Sequence, residues 1–364
     1  MSHFDDHSNK SPYRGRATTL NPKSRFDVTG REVIFDGWFE PLDGVPVSRA
    51  EVTSERVRSI ISYNTSPDLP FDRSINAYRG CEHGCIYCYA RPSHNYLDLS
   101  SGLDFETKLT AKPNAAKVLI QQLSKPSYRA RPIALGTNTD PYQPIDVTHK
   151  ITRDILQVLQ TTRHPTAIVT EGTMITRDLD ILAEMAQDNL VWVGVSVTTL
   201  NLKLSRVMEP RAPAPAARLR TIERLSKAGV PTRVMASPLI PALSDHELEN
   251  ILKAGRDHGA QSASWIMLRL PRDVSDLFQA WLFDKFPDCA KRVLGHIREM
   301  HDGKLYDANF GHRMRGSGPY AEMIEKRFQL AIKKLGLAHK VPKLNCADFL
   351  PPRKKSAQMD LFDG

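Results

Sequence analysis

No uninterrupted apolar stretch of about 18 residues occurs anywhere in the chain, which removes any candidate for a membrane-spanning helix. Cysteine is scarce and odd in number, five in 364 residues, which argues against the paired framework of a disulfide-stapled secreted domain. The first residues, Met-Ser-His-Phe-Asp-Asp-His, lack the basic start and apolar core of a secretion signal. From these absences a cytoplasmic protein, kept in a reducing compartment and away from membranes, is expected. With 41% hydrophobic and 25% charged residues, the chain can bury one large core and still carry extensions.

What cysteine there is lies close together. Cys81, Cys85 and Cys88 fall within the eight residues from position 81 to 88, in Arg79-Gly-Cys-Glu-His-Gly-Cys-Ile-Tyr-Cys-Tyr-Ala-Arg91. A cubic 4Fe-4S cluster takes a thiolate at each iron corner, so three neighbouring thiols leave one iron open to chelate something else. Gly80 and Gly84 let such a loop wrap closely, because they tolerate backbone angles that side chains disfavour. Zinc is a second reading, with a fourth ligand from His83, His94 or Cys346, but zinc favours a second cysteine pair and none follows. Purely structural thiols are a third.

Between Ser74 and Pro287, short apolar strands alternate with amphipathic helices, the pattern of a parallel sheet with right-handed crossovers. The spacing predicts strands over Ser74–Tyr78, Ile133–Gly136, Ala167–Thr170, Val191–Val197, Thr232–Pro238 and Ser264–Leu270. It predicts helices over Asn114–Leu123, Thr152–Gln160, Arg177–Gln187, Ala216–Ala228, Ser244–His258 and Val274–Phe286. Gly229 reads as a helix stop, and Ser244-Asp-His-Glu247 as a capping box. Six such units make an α/β fold: a partial barrel, or else a closed barrel or doubly wound sheet.

The Cys-x3-Cys-x2-Cys spacing, with Tyr87 just before the third Cys, resembles the signature of radical S-adenosylmethionine (radical SAM) enzymes. That resemblance implies a partial (β/α)6 TIM-like barrel, a 4Fe-4S cluster held by Cys81, Cys85 and Cys88, and S-adenosyl-L-methionine on the free iron with Tyr87 against its adenine. It also implies an electron donor such as flavodoxin or ferredoxin, and reductive cleavage to a 5'-deoxyadenosyl radical that takes hydrogen from substrate. The loop Gly136-Thr-Asn-Thr-Asp-Pro-Tyr-Gln-Pro144 occupies the place where the family supplies polar groups to the methionine end. Gly136, Thr137, Asn138 and Asp140 are its candidates, although the usual Gly-Gly-Glu is absent and an ordinary turn is the other reading. Ser196, ending the fourth strand, resembles the family's contact to ribose or carboxylate. Arg211 offers a fork to the cofactor carboxylate or is merely solvated. Leu239 packs on adenine or belongs, with Ile240, to the core.

Charge is uneven. Residues 291–356 hold 15 Lys or Arg against 6 Asp or Glu, a surplus equal to the +9 of the whole chain. That is the footprint expected where phosphates are neutralised. Within it Arg313 and Arg315 alternate with Phe310 and Tyr320, residues suited to tracking a backbone and stacking a base. A solvated helical face is the alternative, because Glu322–Leu335 has helical periodicity. Arg14, Arg16, Lys23 and Arg25 read as a basic, flexible arm, with ordinary disorder as the other reading. Gln358-Met-Asp-Leu-Phe362 resembles the peptide by which bacterial replication and repair proteins bind the sliding clamp, with Leu361 and Phe362 as anchor and Gln358 as hydrogen-bond partner; a frayed tail is the other reading. The expected organisation is an arm and lead-in over 1–60, the barrel over 61–290, a basic helical extension over 291–350 and a disordered tail over 351–364.

Ser74-Ile-Asn-Ala-Tyr-Arg-Gly80, Thr139-Asp-Pro-Tyr-Gln-Pro-Ile145 and Glu209-Pro-Arg211 resemble the radical SAM proteins grouped with spore photoproduct lyase, a DNA repair enzyme. The resemblance implies a nucleic-acid substrate, DNA or RNA, with a damaged base extruded toward the cofactor. That lyase uses a cysteine hydrogen donor downstream of its cluster. Here no cysteine lies between Tyr89 and Asp288, so Cys289 and Cys346 are the donor candidates and Tyr89, Tyr96 or Tyr142 the radical relays. The competing expectations are a radical SAM modifier or maturase of protein or RNA, and a non-enzymatic, clamp-tethered iron-sulfur DNA-binding module.

Overall fold

Ten strands form in the computed structural model, which describes residues 15–18, 20–26, 50–341 and 343–352. They are β1 (Glu51–Ser54), β2 (Ile61–Tyr63), β3 (Arg73–Ile75), β4 (Tyr78–Arg79), β5 (Lys108–Ala111), β6 (Ile133–Leu135), β7 (Thr166–Thr170), β8 (Val191–Ser196), β9 (Thr232–Leu239) and β10 (Ser262–Met267). β3, β6, β7, β8, β9 and β10 pair in parallel and in chain order, with β2 antiparallel on the outer side of β3. A doubly wound sheet would reverse its order at a switch point. This order never reverses and its ends do not meet, so the sheet is an open, partial barrel.

β8 is buried along its whole length, as a strand covered on both faces must be. Val193 and Val195 join Ile168, Leu156 and Ile222 in the layer between sheet and helices. Their neighbours Ala167 and Trp192 point the other way, into the barrel, where they pack with Leu344.

The basic C-terminal region is built into this core. Its helix Gly318–Leu335 buries Ile324 and Phe328 in the same layer, and the Phe328 ring lies 6.4 Å from that of Trp265. The chain then bridges the edge of β10 at Ala338 and crosses the N-terminal ends of the strands. Asn345 donates its N–H to the Asn189 carbonyl and Leu350 its N–H to that of Thr162, both at 2.9 Å. The rings of Tyr128, His164 and Phe349 cluster at the end of this crossing, tilted or edge-on to one another.

A second, three-stranded sheet in the order β1-β5-β4 sits over the first barrel strand. It accounts for one departure from expectation. Ser74–Tyr78 is not a single strand: the chain leaves the barrel after Ile75, where the Asn76 side chain accepts the N–H groups of Asn138 and Thr139, and Tyr78 joins the second sheet instead. The capping box is the other. Ser244 Oγ accepts the Ile240 N–H, and the Glu247 carboxylate is taken by Thr199 Oγ1 and the Leu200 N–H, so neither closes on the helix Leu248–Asp257. Gly229, with φ +80°, does end the helix Pro215–Lys227.

Two glycines in helices make opposite predictions. A Cβ on Gly255 would lie 2.6 Å from Val234 Cβ, whereas Gly295 has nothing within 4 Å. Gly255→Ala is expected to cost about 1–3 kcal/mol in urea unfolding, and Gly295→Ala to gain about 0.5–1 kcal/mol. Equal midpoints for the two variants would contradict the packing described.

Burial lowers the His164 pKa from 6.5 to about 4, while Tyr128 Oη and the Pro165 carbonyl sit at its ring nitrogens. The unfolded chain therefore binds a proton first as the pH falls. Stability present above pH 6.5 should drain away toward pH 4, by up to about 3 kcal/mol from this residue alone. Urea midpoints of the parent and of His164→Gln across that range measure it, and parallel acid limbs would refute it.

Candidate active site

The first barrel strand, β3, ends at Ile75, and the chain passes through β4 of the second sheet before reaching Cys81, so the cysteine loop follows the C-terminal end of a barrel strand, where (β/α) folds build their sites. Gly80 and Gly84 take φ of +71° and +69°. A Cβ on Gly80 would lie 2.7 Å from Leu109 Cδ2, and one on Gly84 2.7 Å from Glu106 Oε2. The loop can be wound this tightly only without side chains at those positions.

Arg91 holds it there. The side chain is wholly buried: Nε donates to the Cys85 carbonyl at 3.0 Å, Nη1 to those of Ser101 and Gly102, and Nη2 to that of Gly84 and to Glu106 Oε1 at 2.6 Å. Burial raises the Glu106 carboxyl, and Arg91 pulls it back toward the charged form.

Cys81, Cys85 and Cys88 are free thiols on this loop, the first two buried. Burial pushes all three upward in pKa; Asp140 adds to the effect at Cys81, and Glu171 and then Glu209 add to it at Cys85. Thiolates facing carboxylates in a dry site need a cation, and iron supplies one, since a metal-bound thiol gives up its proton. The donor set therefore fits a cluster. Cys85 Sγ lies 3.1 Å from Glu171 Oε2, and His83 Nδ1 stands 3.5 Å from Asp140 Oδ2 with no hydrogen-bond partner among the described residues.

Around the thiols a polar ring closes. The Tyr87 hydroxyl reaches Glu171 Oε1 at 3.1 Å, Thr198 Oγ1 at 3.2 Å and Glu209. Glu209 pairs with Arg218 at a site where both side chains are 1% exposed, and Arg218 also donates to the carbonyls of Pro213 and Ser196. Burial works against charge on both carboxylates. At Glu209 the adjacent Arg218 outweighs it and holds the group low, while Glu171 is raised by burial and by its neighbour Glu209.

Several expected residues meet here. Gly136 has φ +85° and its missing Cβ would fall 1.9 Å from the Val169 carbonyl oxygen; the Thr137 carbonyl accepts the Tyr89 hydroxyl. The Asn138 side chain donates to Ser93 Oγ. Asp140 accepts from Thr170 Oγ1 at 2.6 Å and from the Glu171 N–H at 2.7 Å. Ser196 Oγ donates to the Ser237 carbonyl, and Arg211 pairs with Glu82 rather than standing solvated.

Others do not meet. Leu239 is wholly buried in the layer between sheet and helices, and Tyr142 in the same layer. Tyr96 is 67% exposed beside Phe26. Cys289 is half-buried on the helix Pro287–Glu299, and Cys346 is exposed next to Asn345, at the strand end opposite the cysteine loop. The basic-loop residues are occupied internally: Arg313 by Asp68 at 2.6 Å and Ser66, Arg315 by Glu325, and Tyr320 by Asp245 at 2.6 Å. They do not form a free basic surface. Gln358, Leu361, Phe362 and Arg14 lie outside the described residues. Glu171, Glu209, Arg218 and Arg91 were assigned no role from the sequence, although Glu209 and Arg91 stand inside the quoted motifs and Glu171 is the first residue past the end of the third barrel strand.

A partial parallel barrel that delivers three free thiols into its mouth is the scaffold of an iron-sulfur enzyme. The model of the Radical SAM superfamily matches residues 75–254, and the chain belongs to that superfamily. It is an enzyme that uses a 4Fe-4S cluster and S-adenosylmethionine. An uncharacterized protein of Mycobacterium tuberculosis is 39% identical over 272 residues, covering 74% of this chain and 76% of that protein. One of Methanocaldococcus jannaschii is 26% identical over 200 residues, 55% of this chain and 72% of that protein. Among solved structures, a mutant spore photoproduct lyase superposes with a TM-score of 0.52 at 12% identity, over 79% of this chain and 80% of the lyase. Another mutant, with bound AdoMet and dinucleoside spore photoproduct, gives 0.51 at 12% identity with the same coverage. At that identity the likeness is one of fold. No helix among the described residues is long and apolar enough to cross a membrane.

Glu106→Gln strands the Arg91 charge in a dry site and is expected to cost about 3–5 kcal/mol in urea unfolding. Iron retained after anaerobic reconstitution should fall with it. A variant with the parent midpoint and full iron would remove Arg91 from this role.

Proposed function

We infer that the protein is a radical SAM enzyme of nucleic acid, acting on damaged DNA in the manner of a repair lyase. The observation that carries the radical chemistry is the set of three free thiols on one loop, Cys81 and Cys85 buried and Cys88 half-buried, with Asp140, Glu171 and Glu209 beside them. In this reading Cys81, Cys85 and Cys88 hold the cluster, and Tyr87 and Asp140 face the cofactor. When bound and reduced by a flavodoxin- or ferredoxin-type donor, the two cofactors supply a 5'-deoxyadenosyl radical that removes a hydrogen atom from substrate.

The chain's own part is positional. Tyr87, held by Glu171, Thr198 and Glu209, cannot swing out, and Gly136 turns the polar loop of the second barrel strand inward. Asp140 and Glu171 are carboxylates suited to an ammonium group. Burial keeps water from competing for a reactive intermediate. The nucleic-acid part is supported by the net charge of +9 on the whole chain and by the fold shared with a lyase solved with a dinucleoside photoproduct.

Anaerobic, reduced, iron-loaded protein mixed with S-adenosylmethionine should release 5'-deoxyadenosine, and Cys85→Ala should bring the yield to background. No release from the parent would defeat the radical reading. Crosslinking to lesion-bearing and intact DNA and RNA then separates the substrates; capture of RNA or protein alone would favour a modifying enzyme.

A further inference from the structure

If the basic loop is occupied internally, a nucleic acid must find its cations elsewhere. Arg56, Arg58 and Lys117 line a recess of about 550 Å³ together with Asn114 and Gln121. All three cations are exposed, and none has an acidic partner among the described residues. The nearest acid in the chain, Glu55, is already paired with Arg79 at 2.8 Å.

The floor of the recess is the first turn of the helix Ala115–Leu123. Asn114 precedes it and would ordinarily cap it, yet its side chain is turned onto Val57, accepting that residue's N–H at 3.0 Å and donating to its carbonyl at 2.9 Å. The first turn has no side-chain cap; the Ala115 N–H goes to the Lys112 carbonyl and that of Val118 to Asn114, so the N–H groups of Ala116 and Lys117 and the positive end of the helix are left to the recess. Three cations and an uncapped helix start make a site for phosphate oxygens, which match both the arginine fork and backbone N–H groups.

Position gives the recess its meaning. The helix leads back to β6, and Ser124 at its far end donates to the Pro352 carbonyl beneath the barrel. Its first turn therefore lies at the opposite, mouth end. Lys112 ties that end to the active site, donating from Nζ to the Asn76 carbonyl, while Asn76 Oδ1 holds the N–H groups of Asn138 and Thr139. No aromatic among the described residues lines the recess, which suits it to backbone rather than bases.

We propose that the Arg56–Arg58–Lys117 recess is a phosphodiester-backbone site that anchors nucleic acid beside the barrel mouth. This rests on the nucleic-acid reading above. The test is fluorescence anisotropy of a labelled DNA duplex with full-length, iron-loaded protein across a salt series, comparing the parent with R56Q/R58Q/K117Q and with R313Q/R315Q. The triple variant should bind about tenfold to a hundredfold more weakly, and its log–log salt slope should flatten by about two to three, one per lost phosphate contact. Its thermal midpoint should stay at the parent value. R313Q/R315Q should lower the thermal midpoint and leave the slope alone.

If the parent binds no nucleic acid, the functional reading fails and takes the recess with it. If the parent binds and the triple variant matches its affinity and slope, the recess alone is wrong. A triple variant that keeps DNA affinity but is reduced slowly by flavodoxin would reassign the recess to an acidic protein partner and overturn the proposal.

Discussion

The cysteine loop is held by one guanidinium. An arginine carries five N–H donors, and Arg91 satisfies all five inside the protein, on four backbone carbonyls and the Glu106 carboxylate. Two of those carbonyls, of Gly84 and Cys85, belong to the loop itself. A lysine offers three donors from a single point and could not span the same set. Loop shape, the near contact of Gly84 with Glu106 and the direction of the thiols all follow from this buried pair.

Around it, charge is arranged to favour one kind of guest. Carboxylates face the thiols, and of these only Glu209 has a full counter-charge at hand among the described residues, in Arg218. Left alone, the site carries protonated thiols and an uneasy Glu171. A positively charged metal cluster resolves that conflict, and an ammonium-bearing cofactor suits the remaining carboxylates. The electrostatics and the spacing of the cysteines thus agree, although they are set by different parts of the chain.

Spacing was legible because it is local. Three thiols in eight residues, six apolar strands and the stops between them are read from near neighbours, and each barrel strand appears within a few residues of its expected bounds. The one strand misread, Ser74–Tyr78, is split at Asn76, whose side-chain partners lie over 60 positions away. The polar ring was hidden for the same reason: Tyr87 and Glu209 are 122 positions apart. The basic region failed differently. A count of charge shows the cations of residues 291–356 but not that Arg313 is answered by Asp68, 245 positions earlier, nor that Phe328 turns one helix face into core. Net charge located the surplus without saying which cations were already spoken for.

The strand crossing that carries Leu344, Asn345 and Leu350 stops up the far end of the barrel, with Leu344 set against Ala167 and Trp192 like a bung. With the N-terminal ends of the strands covered by this crossing, reactants and products alike must pass by the C-terminal face or by the open side of the sheet, where β2 and β10 do not meet.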